Sequence, residues 1–464
     1  MGVLYLARNR LLLRWRRHDK RTHSGRDRCH CRGRFGFGSE RKNNKVNYLD
    51  LFAGAGGLSE GFIREGFTPI AHIEMSEAAC YTLKTRAAFH YLQTRNALDS
   101  YKSYITGKTL RADFYSTIPY DILNSVICAE IGDNTMKDLF KQIDKKLQGQ
   151  HLDLIIGGPP CQAYSLVGRA RDPNGMQGDK RNYLFRYYAQ FLQKYEPTYF
   201  VFENVLGLLS AKDSSGKKYF DMMHDAFEKC GYNLKYEIFS ASDYGVLQNR
   251  KRIILVGKRT KEDFKFPLPE KCTQNAKVSA IFSGLPSIHS GEGDVFSCSL
   301  KKKHDSWLDE THVLNSEMPV TFHCSRPNSS QDLEIYRRVV ELWNKEHKRL
   351  SYDDLPKRLR THNNTKSFLD RFKVVASDVT ASQTVVAHIA KDGHYYIHPD
   401  INQNRSITPR EAARLQTFPD DYFFESVSGK PSRTEAYKQI GNAVPVLLSQ
   451  KIAAKLKEVW DYVE

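Results

Sequence analysis

The chain has 464 residues, and its 40% hydrophobic and 12% aromatic content is enough for two to three domains with a sizeable core. No apolar run approaches the roughly 18 residues of a membrane-spanning helix, so we expect no membrane association. The nine cysteines are an odd number without framework spacing, which excludes a disulfide scaffold and predicts a reducing cytoplasm. The net charge is +17, but residues 1–45 alone carry +11, so most of the basic excess lies in the N-terminal segment.

Residues 1–45 form a basic tail with low hydrophobicity after Leu13, and we expect this tail to be disordered. Cys29-His30-Cys31 does not have the spacing of a zinc site. A secretory signal is disfavoured, because only Leu11-Leu12-Leu13 is continuously apolar and no small-residue cleavage site follows. Three interpretations of this tail stay open: an organellar transit peptide, a nonspecific DNA tether, or a start codon assigned too far upstream.

The first predicted element is a short buried strand at 46–52, followed by a glycine-rich turn at 53–57 that leads into a helix. Glycines there let the backbone approach a bound ligand and present amides at a helix N-terminus. A second strand at 69–74 ends at Glu74, and an acid about 20 residues after such a turn suits the two hydroxyls of a ribose. The turn alone fits a nicotinamide enzyme equally well, whereas the Gly-Lys-Ser/Thr pattern of nucleotide triphosphatases is missing.

The most informative segment follows a third predicted strand at 152–157, where the chain reads Gly157-Gly158-Pro159-Pro160-Cys161-Gln162. The prolines predict a stiff loop that carries Cys161 at the edge of the sheet. A cysteine is intrinsically nucleophilic, and in a site that favours the thiolate it can attack an electrophilic carbon. For a cysteine taken alone, a buried structural thiol is the alternative.

Charged residues also stand at the ends of the next predicted strands. The strand at 198–203 ends at Glu203, and Arg250 and Arg252 stand at the start of the strand at 252–257. Taken singly, Glu203 fits a strand-end salt bridge and the arginines fit solvated edge charges. On these residues alone, both alternatives stay open.

Over about residues 46–460 the chain resembles the DNA (cytosine-5)-methyltransferases, most closely those of bacterial restriction–modification systems. The motifs that carry the resemblance are 50–57, Glu74, Gly132-Asp133, Pro160-Cys161-Gln162, Glu203-Asn204-Val205, 248–252, 405–418 and 439–445. The stretch before Gly132 is long and untypical of the family, which leaves Asp113 as the alternative to Asp133.

The resemblance implies S-adenosyl-L-methionine as the co-substrate and no metal. Glu74 is implied to bind its ribose and Asp133 its adenine amino group. The complete implied cofactor-binding set is Phe52, Gly54, Gly56, Gly57, Leu58, Glu74, Asp133, Pro159 and Asn442. The implied catalytic residues are Cys161, Glu203, Arg250 and Arg252.

The family's chemistry explains why these residue types occur together. Carbon 5 of cytosine is a poor nucleophile until a thiolate, here implied to be Cys161, adds at carbon 6 and turns the ring into an enamine. Glu203 in its protonated form would donate a hydrogen bond to ring nitrogen 3, where negative charge develops. Arg252, with Arg250, would hold the carbonyl oxygen of the base. Because a stacked cytosine cannot reach the thiolate, the base must be flipped out of the duplex.

We expect an α/β fold, with the Rossmann-like, mostly parallel sheet of class I S-adenosylmethionine-dependent methyltransferases and a second, smaller target-recognition domain. The predicted strands alternate with helices such as 182–195 and 217–230. The predicted divisions are a tail at 1–45, a catalytic and cofactor-binding domain at 46–257, a target-recognition domain at 258–404 and a C-terminal segment at 405–464 that returns to the catalytic domain with a helix near 446–460.

Residues 258–400 have a net charge of only +3, with local basic stretches such as Lys301-Lys302-Lys303 and 357–360. This balance suits a reader of base edges with local phosphate contacts more than a nonspecific polycation. Alternating residues at 383–397 predict a hairpin that turns at Lys391-Asp392-Gly393.

The implied function is methylation of carbon 5 of a flipped-out cytosine within a specific double-stranded DNA sequence. The implied setting is a monomer on DNA in the bacterial cytoplasm, paired with a cognate restriction endonuclease. The alternatives are a tRNA cytosine-5 methyltransferase, which usually lacks so large an inserted recognition region, and a catalytically silent DNA-binding relative. The intact Cys161, Glu203 and cofactor loop argue against the silent relative.

Overall fold

Seven strands form the main sheet of the computed structural model, which describes residues 45–160, 180–272, 275–296, 300, 303–363 and 365–460. The described residues belong to one compact unit, Lys45–Glu464. Apart from Lys45, the predicted basic tail therefore lies outside the described residues, as does Cys161.

The strands of the main sheet are β1 (Asn47–Leu51), β2 (Thr68–Glu74), β3 (Val126–Cys128), β4 (Leu154–Gly157), β5 (Tyr199–Asn204), β6 (Tyr232–Ser240) and β7 (Lys251–Arg259). Their order across the sheet is β3-β2-β1-β4-β5-β7-β6. The first five are parallel, whereas β7 pairs antiparallel with both β5 and β6. The predicted α/β fold with a mostly parallel sheet is confirmed, although β3 and β6 have no counterpart among the predicted strands.

Helices cover both faces of this sheet and make up most of the remaining regular structure. They are α1 (Gly57–Arg64), α2 (Glu77–Gln93), α3 (Asp99–Ile105), α4 (Arg111–Ser116), α5 (Tyr120–Leu123), α6 (Met136–Leu147), α7 (Phe185–Tyr195), α8 (Tyr219–Lys229), α9 (Trp307–Glu310), α10 (Ser330–Glu346), α11 (Thr365–Phe368), α12 (Pro409–Leu415), α13 (Arg433–Asn442) and α14 (Val446–Trp460). The helices predicted at 182–195 and 217–230 correspond to α7 and α8.

The sheet is buried on both faces because successive strand residues enter two different apolar clusters. Phe200 and Phe202 of β5 pack in a cluster with α6, α7 and α8. Tyr199 and Val201 of the same strand pack in the opposite cluster, with α1 and α14. Such strands read as nearly continuous hydrophobic runs, which is why they are visible in the sequence.

The carboxyl ends of the parallel strands meet at one edge of the sheet. The register pairs Leu51 with Gly157, and Gly157 with Phe202. Because β7 is antiparallel to β5, its first residue, Lys251, lies at this same edge. Ligands of open α/β sheets bind at this edge, so it is the first place to look for a site.

Helix α14 packs tightly against α1, the helix that follows the glycine-rich turn. A Cβ atom at Gly61 would lie 2.4 Å from the backbone nitrogen of Gln450, and one at Gly57 would lie 2.3 Å from the carbonyl oxygen of Val444. Only glycine permits this approach. The C-terminal segment is thereby held against the start of α1, directly after the glycine-rich turn at 53–57.

The region between β7 and α12 contains little sheet. Its only pairing of strands in the described part is the two-stranded sheet of β8 (Gly293–Asp294) and β9 (His323–Cys324). The hairpin predicted at 383–397 is wrong, because Ala387–Ala390 is a turn of 3-10 helix and Ile397 bridges to Val374 and Ser406 instead. The division into catalytic and target-recognition domains stays a prediction.

Candidate active site

A cavity of about 80 Å³ opens at the carboxyl edge of β1, β4 and β5. Its lining includes six of the predicted site residues, namely Phe52, Gly54, Gly57, Leu58, Glu203 and Asn442. Gly56, Glu74, Asp133, Pro159, Arg250 and Arg252 are not part of this lining. The structure therefore brings the cofactor loop, the Glu-Asn-Val strand end and the last motif to one place.

The cofactor loop between β1 and α1 is a tight turn. Its backbone is in the left-handed region at Phe52, Gly54 and Gly56, with φ values of 58°, 55° and 80°. At Gly56 a Cβ atom would lie 2.8 Å from Cδ2 of Leu83, so this position has no room for a side chain. Gly57 and Leu58, the first residues of α1, line the cavity, and a helix N-terminus suits a ligand with negative or acceptor groups.

Glu74 closes the cofactor loop from the neighbouring strand. Its Oε2 accepts a hydrogen bond from the Gly54 amide at 2.8 Å, and its Oε1 accepts one from the Ser76 amide at 2.7 Å. Each carboxylate oxygen has a second lone pair that a ribose hydroxyl can use. The predicted ribose acid is thus fixed beside the loop rather than free in solvent.

Asp50 is the first residue of the 50–57 motif, and the sequence predicted no role for it. Its side chain is 1% exposed, it lines the cavity, and neither carboxylate oxygen has a hydrogen-bond partner among the described residues. Burial, and secondarily the nearby Glu74, raises the pKa of Asp50 well above its ordinary value. A buried carboxylate without a partner calls for a ligand, and a cationic group satisfies it.

The predicted adenine contact, Asp133, is exposed and lies five residues after the end of β3. The side chain of Tyr187 hydrogen-bonds to it, and this bond raises the pKa of Tyr187. Glu130 lies nearer the strand edge, because the Ala129 amide just before it donates to the carbonyl oxygen of Glu74 at 2.9 Å. Asp113, the alternative, is on α4 rather than at a strand end.

Glu203 and Arg252 form an ion pair at the edge of the sheet, with Nε of Arg252 2.6 Å from Oε1 of Glu203. Their side chains are 17% and 11% exposed, respectively. Glu203 pairs with Ile254 across the antiparallel β5–β7 ladder, so Arg252, two residues earlier, lies diagonally opposite on the same face. Of the two predicted arginines, the structure brings Arg252 to the acid.

Arg250 is placed differently, because its side chain is buried at 1% exposure. Its Nη1 donates to the carbonyl oxygen of Val385 at 2.6 Å and its Nη2 to that of Gly441 at 3.3 Å. Gln248 acts alongside it by donating to the carbonyl oxygen of Leu415 at 2.6 Å and accepting from the Val385 amide at 3.0 Å. These contacts hold the later segments against the sheet, and a role for Arg250 in holding the base stays a prediction.

The loop that leads to Cys161 is anchored at its start. The side-chain Nδ2 of Asn204 donates to the carbonyl oxygen of Pro159 at 3.3 Å, and Asn204 is 1% exposed. A Cβ atom at Gly158 would lie 2.0 Å from the carbonyl oxygen of Glu203. The glycine therefore lets the loop leave the sheet directly beside the Glu203–Arg252 pair, although Cys161 itself lies outside the described residues.

One group of side chains in the described part of the chain has a metal-ligating arrangement, formed by His224, Asp225 and Glu228 on α8. All three are partly or largely exposed, and none lines the strand-edge cavity.

In the described ranges, no helix is long and apolar enough to cross a membrane.

The sequence profile of the family described as C-5 cytosine-specific DNA methylase matches residues 46–106 and 123–458. The chain belongs to this family. The unmatched segment between the two ranges contains α4, which accounts for the untypical stretch ahead of Gly132. The predicted activity is confirmed: the chain is a DNA cytosine-5 methyltransferase, and a nicotinamide-dependent oxidoreductase is excluded.

Curated relatives match this methyltransferase over most of their length. The type II methyltransferase M.Bpa9945I of Bacillus paralicheniformis is 39% identical over 448 residues, which cover 89% of this chain and 98% of that protein. The type II methyltransferase M1.HphI of Haemophilus parahaemolyticus is 29% identical over 408 residues, which cover 88% and 86%.

Solved structures show the same fold. A DNA modification methyltransferase encoded within an E. coli prophage aligns with a TM-score of 0.58 and 21% identity, covering 90% of this chain and 100% of that one. The Entamoeba histolytica methyltransferase EhMeth aligns with a TM-score of 0.50 and 14% identity, covering 90% and 99%.

Proposed function

We propose that this methyltransferase uses S-adenosyl-L-methionine and a covalent Cys161 adduct to methylate one cytosine within a specific double-stranded DNA sequence. The observation that carries the proposal is that Glu203, paired with Arg252 at 2.6 Å, lines the same cavity as the glycine-rich loop and Asp50. A proton donor for the base and a cofactor cradle therefore meet beside the start of the Cys161 loop.

The residues of the cavity fit S-adenosylmethionine, which when bound supplies an electrophilic methyl group on sulfur. The unpartnered carboxylate of Asp50 suits the α-ammonium of its methionine part. Glu74 would accept from the ribose hydroxyls, and Phe52 would pack against the adenine ring. Asn442 and Leu58 complete the walls of the cavity.

The adenine amino group would be bound by an acid near the end of β3. Asp133 is the candidate that the family motif indicates, and Glu130 is the candidate that the strand-edge geometry favours. Glu130 follows directly after Ala129, whose amide is bonded to Glu74, and Glu74 is the proposed ribose acid. We therefore assign the adenine contact to Glu130.

The base would be activated by the chain's own residues. The Cys161 thiolate adds to carbon 6, and protonated Glu203 donates to ring nitrogen 3 as charge develops there. Arg252 orients Glu203 and donates to the carbonyl oxygen of the base. After methyl transfer, a base removes the proton on carbon 5, the carbon 5–carbon 6 double bond re-forms and the bond from carbon 6 to sulfur breaks.

The biological role follows from the relatives, whose names describe type II methyltransferases. We propose that this chain belongs to a type II restriction–modification system and protects DNA from a paired endonuclease. It would act as a monomer on DNA in the bacterial cytoplasm, with residues 258–404 as its target-recognition domain.

The test is an acceptor comparison with S-adenosylmethionine labelled in its methyl group. The purified chain is incubated separately with cytosine-unmethylated plasmid DNA and with unmodified tRNA, and labelled 5-methylcytosine is measured in each. We expect label in DNA and none in tRNA, and none in either with the Cys161→Ser variant. Label in tRNA alone, or an unimpaired Cys161→Ser variant, would overturn the proposal.

A further inference from the structure

A second cavity, of about 270 Å³, lies between helix α10 and the segment 372–384. Asn249, which precedes β7, forms part of its wall, and the aromatic side chains in its lining are Trp343 and Phe372. The mechanism uses none of these residues. This recognition cavity, as we call it, is larger than the cofactor cavity and belongs mainly to the region predicted to read DNA.

The charge of the recognition cavity is one-sided. Its described lining contains Lys348, Arg349 and Lys373, and no carboxylate. Lys373 is paired with Asp370, and Lys348 lies 2.9 Å from the exposed Glu346. Arg349 is exposed and makes no hydrogen bond or ion pair with any residue in the described ranges. A free guanidinium beside an acid-free cavity favours a ligand with acceptor groups.

The wall of the cavity is fixed to the catalytic sheet. The Asn249 amide donates to the carbonyl oxygen of Ser382 at 2.8 Å, and the Thr384 hydroxyl donates to the carbonyl oxygen of Asn249. A parallel bridge joins Gln248 to Ser382, and Gln248 is fully buried. A recognition surface on such a rigid support can hold base-reading groups in a defined register with the active site.

The cavity is also close to the reacting edge. Asn249 is three residues before Arg252, a separation of at most about 10 Å in an extended chain. Because β7 runs antiparallel to β5, Asn249 lies beyond the edge at which Glu203 pairs with Arg252. The wall at Asn249 is thus joined by a short stretch of chain to the strand that carries Arg252.

We propose that the recognition cavity reads a base edge of the target sequence, and that Arg349 donates two hydrogen bonds to a guanine there. This inference rests on the proposed function and adds the specificity-determining residue. A planar guanidinium matches the O6 and N7 acceptors of guanine in the major groove, whereas a lysine offers a single point charge. The partly buried Trp343 supplies apolar contact beside that base.

The test compares methylation profiles of the full chain and three variants, each expressed with a plasmid library of random sequence and scored by bisulfite sequencing. Arg349→Ala removes both the positive charge and the paired N–H donors of the guanidinium, whereas Arg349→Lys keeps the charge and loses the paired donors. Arg337→Ala is the matched control, because Arg337 is an exposed arginine on α10 outside the cavity lining. Binding of S-adenosylmethionine by each purified variant checks that the protein is folded.

We expect both Arg349 variants to accept other bases in place of one guanine of the target sequence, with a loss of about ten- to hundredfold in preference at that position alone. Arg337→Ala should keep the wild-type sequence preference. If Arg349→Ala lowers methylation equally at every site and Arg349→Lys keeps the wild-type base preference, Arg349 contacts a phosphate and the inference is overturned. The inference is also overturned if both Arg349 variants keep the wild-type methylation profile. A wild-type chain that methylates no cytosine would overturn the proposed function, and the inference with it.

Discussion

Nε of Arg252 lies 2.6 Å from Oε1 of Glu203, across two antiparallel strands whose ends meet at the ligand-binding edge of the sheet. The pair is mostly shielded from solvent, with side chains 11% and 17% exposed. The contact holds the guanidinium beside the carboxyl group at this edge of the sheet. In the mechanism that we propose, Glu203 contacts the base and Arg252 positions Glu203.

Replacing Glu203 with Gln should lower kcat about 10²- to 10³-fold, because the amide keeps the shape but cannot deliver a proton to ring nitrogen 3. Arg252→Ala should cost much less in the Glu203→Gln background than alone, since the two residues act together. Single-turnover methyl transfer to DNA measures both effects. Arg259→Ala is the control, because Arg259 is on the same strand as Arg252 but forms an exposed ion pair with Glu196, away from the site; additive losses would refute the pairing.

Replacing Asp50 with Asn should weaken binding of S-adenosylmethionine about 10- to 100-fold, the effect of losing a charge-assisted hydrogen bond. Burial raises the pKa of Asp50 well above its ordinary value, and a bound ammonium should lower it again, so binding should release protons in the pH range where the empty site titrates. Calorimetry over a series of pH values, each in two buffers of different ionisation enthalpy, measures that release. An Asp50→Asn variant with wild-type affinity and wild-type proton release would contradict the assignment.

The two candidate adenine contacts can be separated with an analogue of S-adenosylmethionine whose purine has a carbonyl in place of the 6-amino group. If Glu130 binds that amino group, Glu130→Gln should weaken S-adenosylmethionine about tenfold and leave the analogue nearly unaffected. Asp133→Asn should change the binding of neither S-adenosylmethionine nor the analogue, because Asp133 instead bonds to Tyr187. The reverse pattern would return the role to Asp133.

Two buried histidines predict a specific dependence of stability on pH. Burial lowers the pKa of both His72 and His398 to about 4. An unfolded histidine has a pKa near 6.5, so these two residues bind more protons in the unfolded state between these values, and their contribution to stability decreases as pH falls from about 6.5 towards 4. At pH 5.5 each histidine should cost about 1 kcal/mol of unfolding free energy.

Urea unfolding at pH 7.5 and pH 5.5 tests this sign and size, because ordinary carboxylates do not yet titrate in that interval. The His72→Gln variant should lose about 1 kcal/mol less than the wild type between the two pH values, whatever its stability at pH 7.5. An identical difference in the two proteins would show that His72 does not titrate as the structure implies.

Much of the central sheet is readable in the sequence, because strands buried on both faces are continuous apolar runs that end in polar motifs. β3 has only three residues, and β6 is an edge strand with its middle exposed, so neither gives that signal. The hairpin predicted at 383–397 is wrong because the buried residues Val385, Ile389 and Tyr396 do not follow a period of two, and they lie in a looped segment that packs against the C-terminal helices.

The candidate site divides in the same way. The glycines, Glu74, Glu203 and Arg252 could be predicted because their motifs follow or begin strands that reach one edge. The contacts of Arg250 could not be predicted, since only the fold reveals that its guanidinium donates to the carbonyl oxygens of Val385 and Gly441. Asp50 was equally hidden, because a buried carboxylate without a partner is a property of packing and not of sequence.

The most direct measurement is bisulfite sequencing of plasmid DNA from a host without cytosine methylation that expresses either the wild-type chain or Cys161→Ser. We expect protected cytosines at one short recurring sequence with the wild type and none with the variant, while the purified variant still binds S-adenosylmethionine. Protection at the same sequence by Cys161→Ser would contradict the covalent mechanism. Absence of any protected cytosine with folded, cofactor-binding wild-type protein would contradict sequence-specific DNA methylation itself.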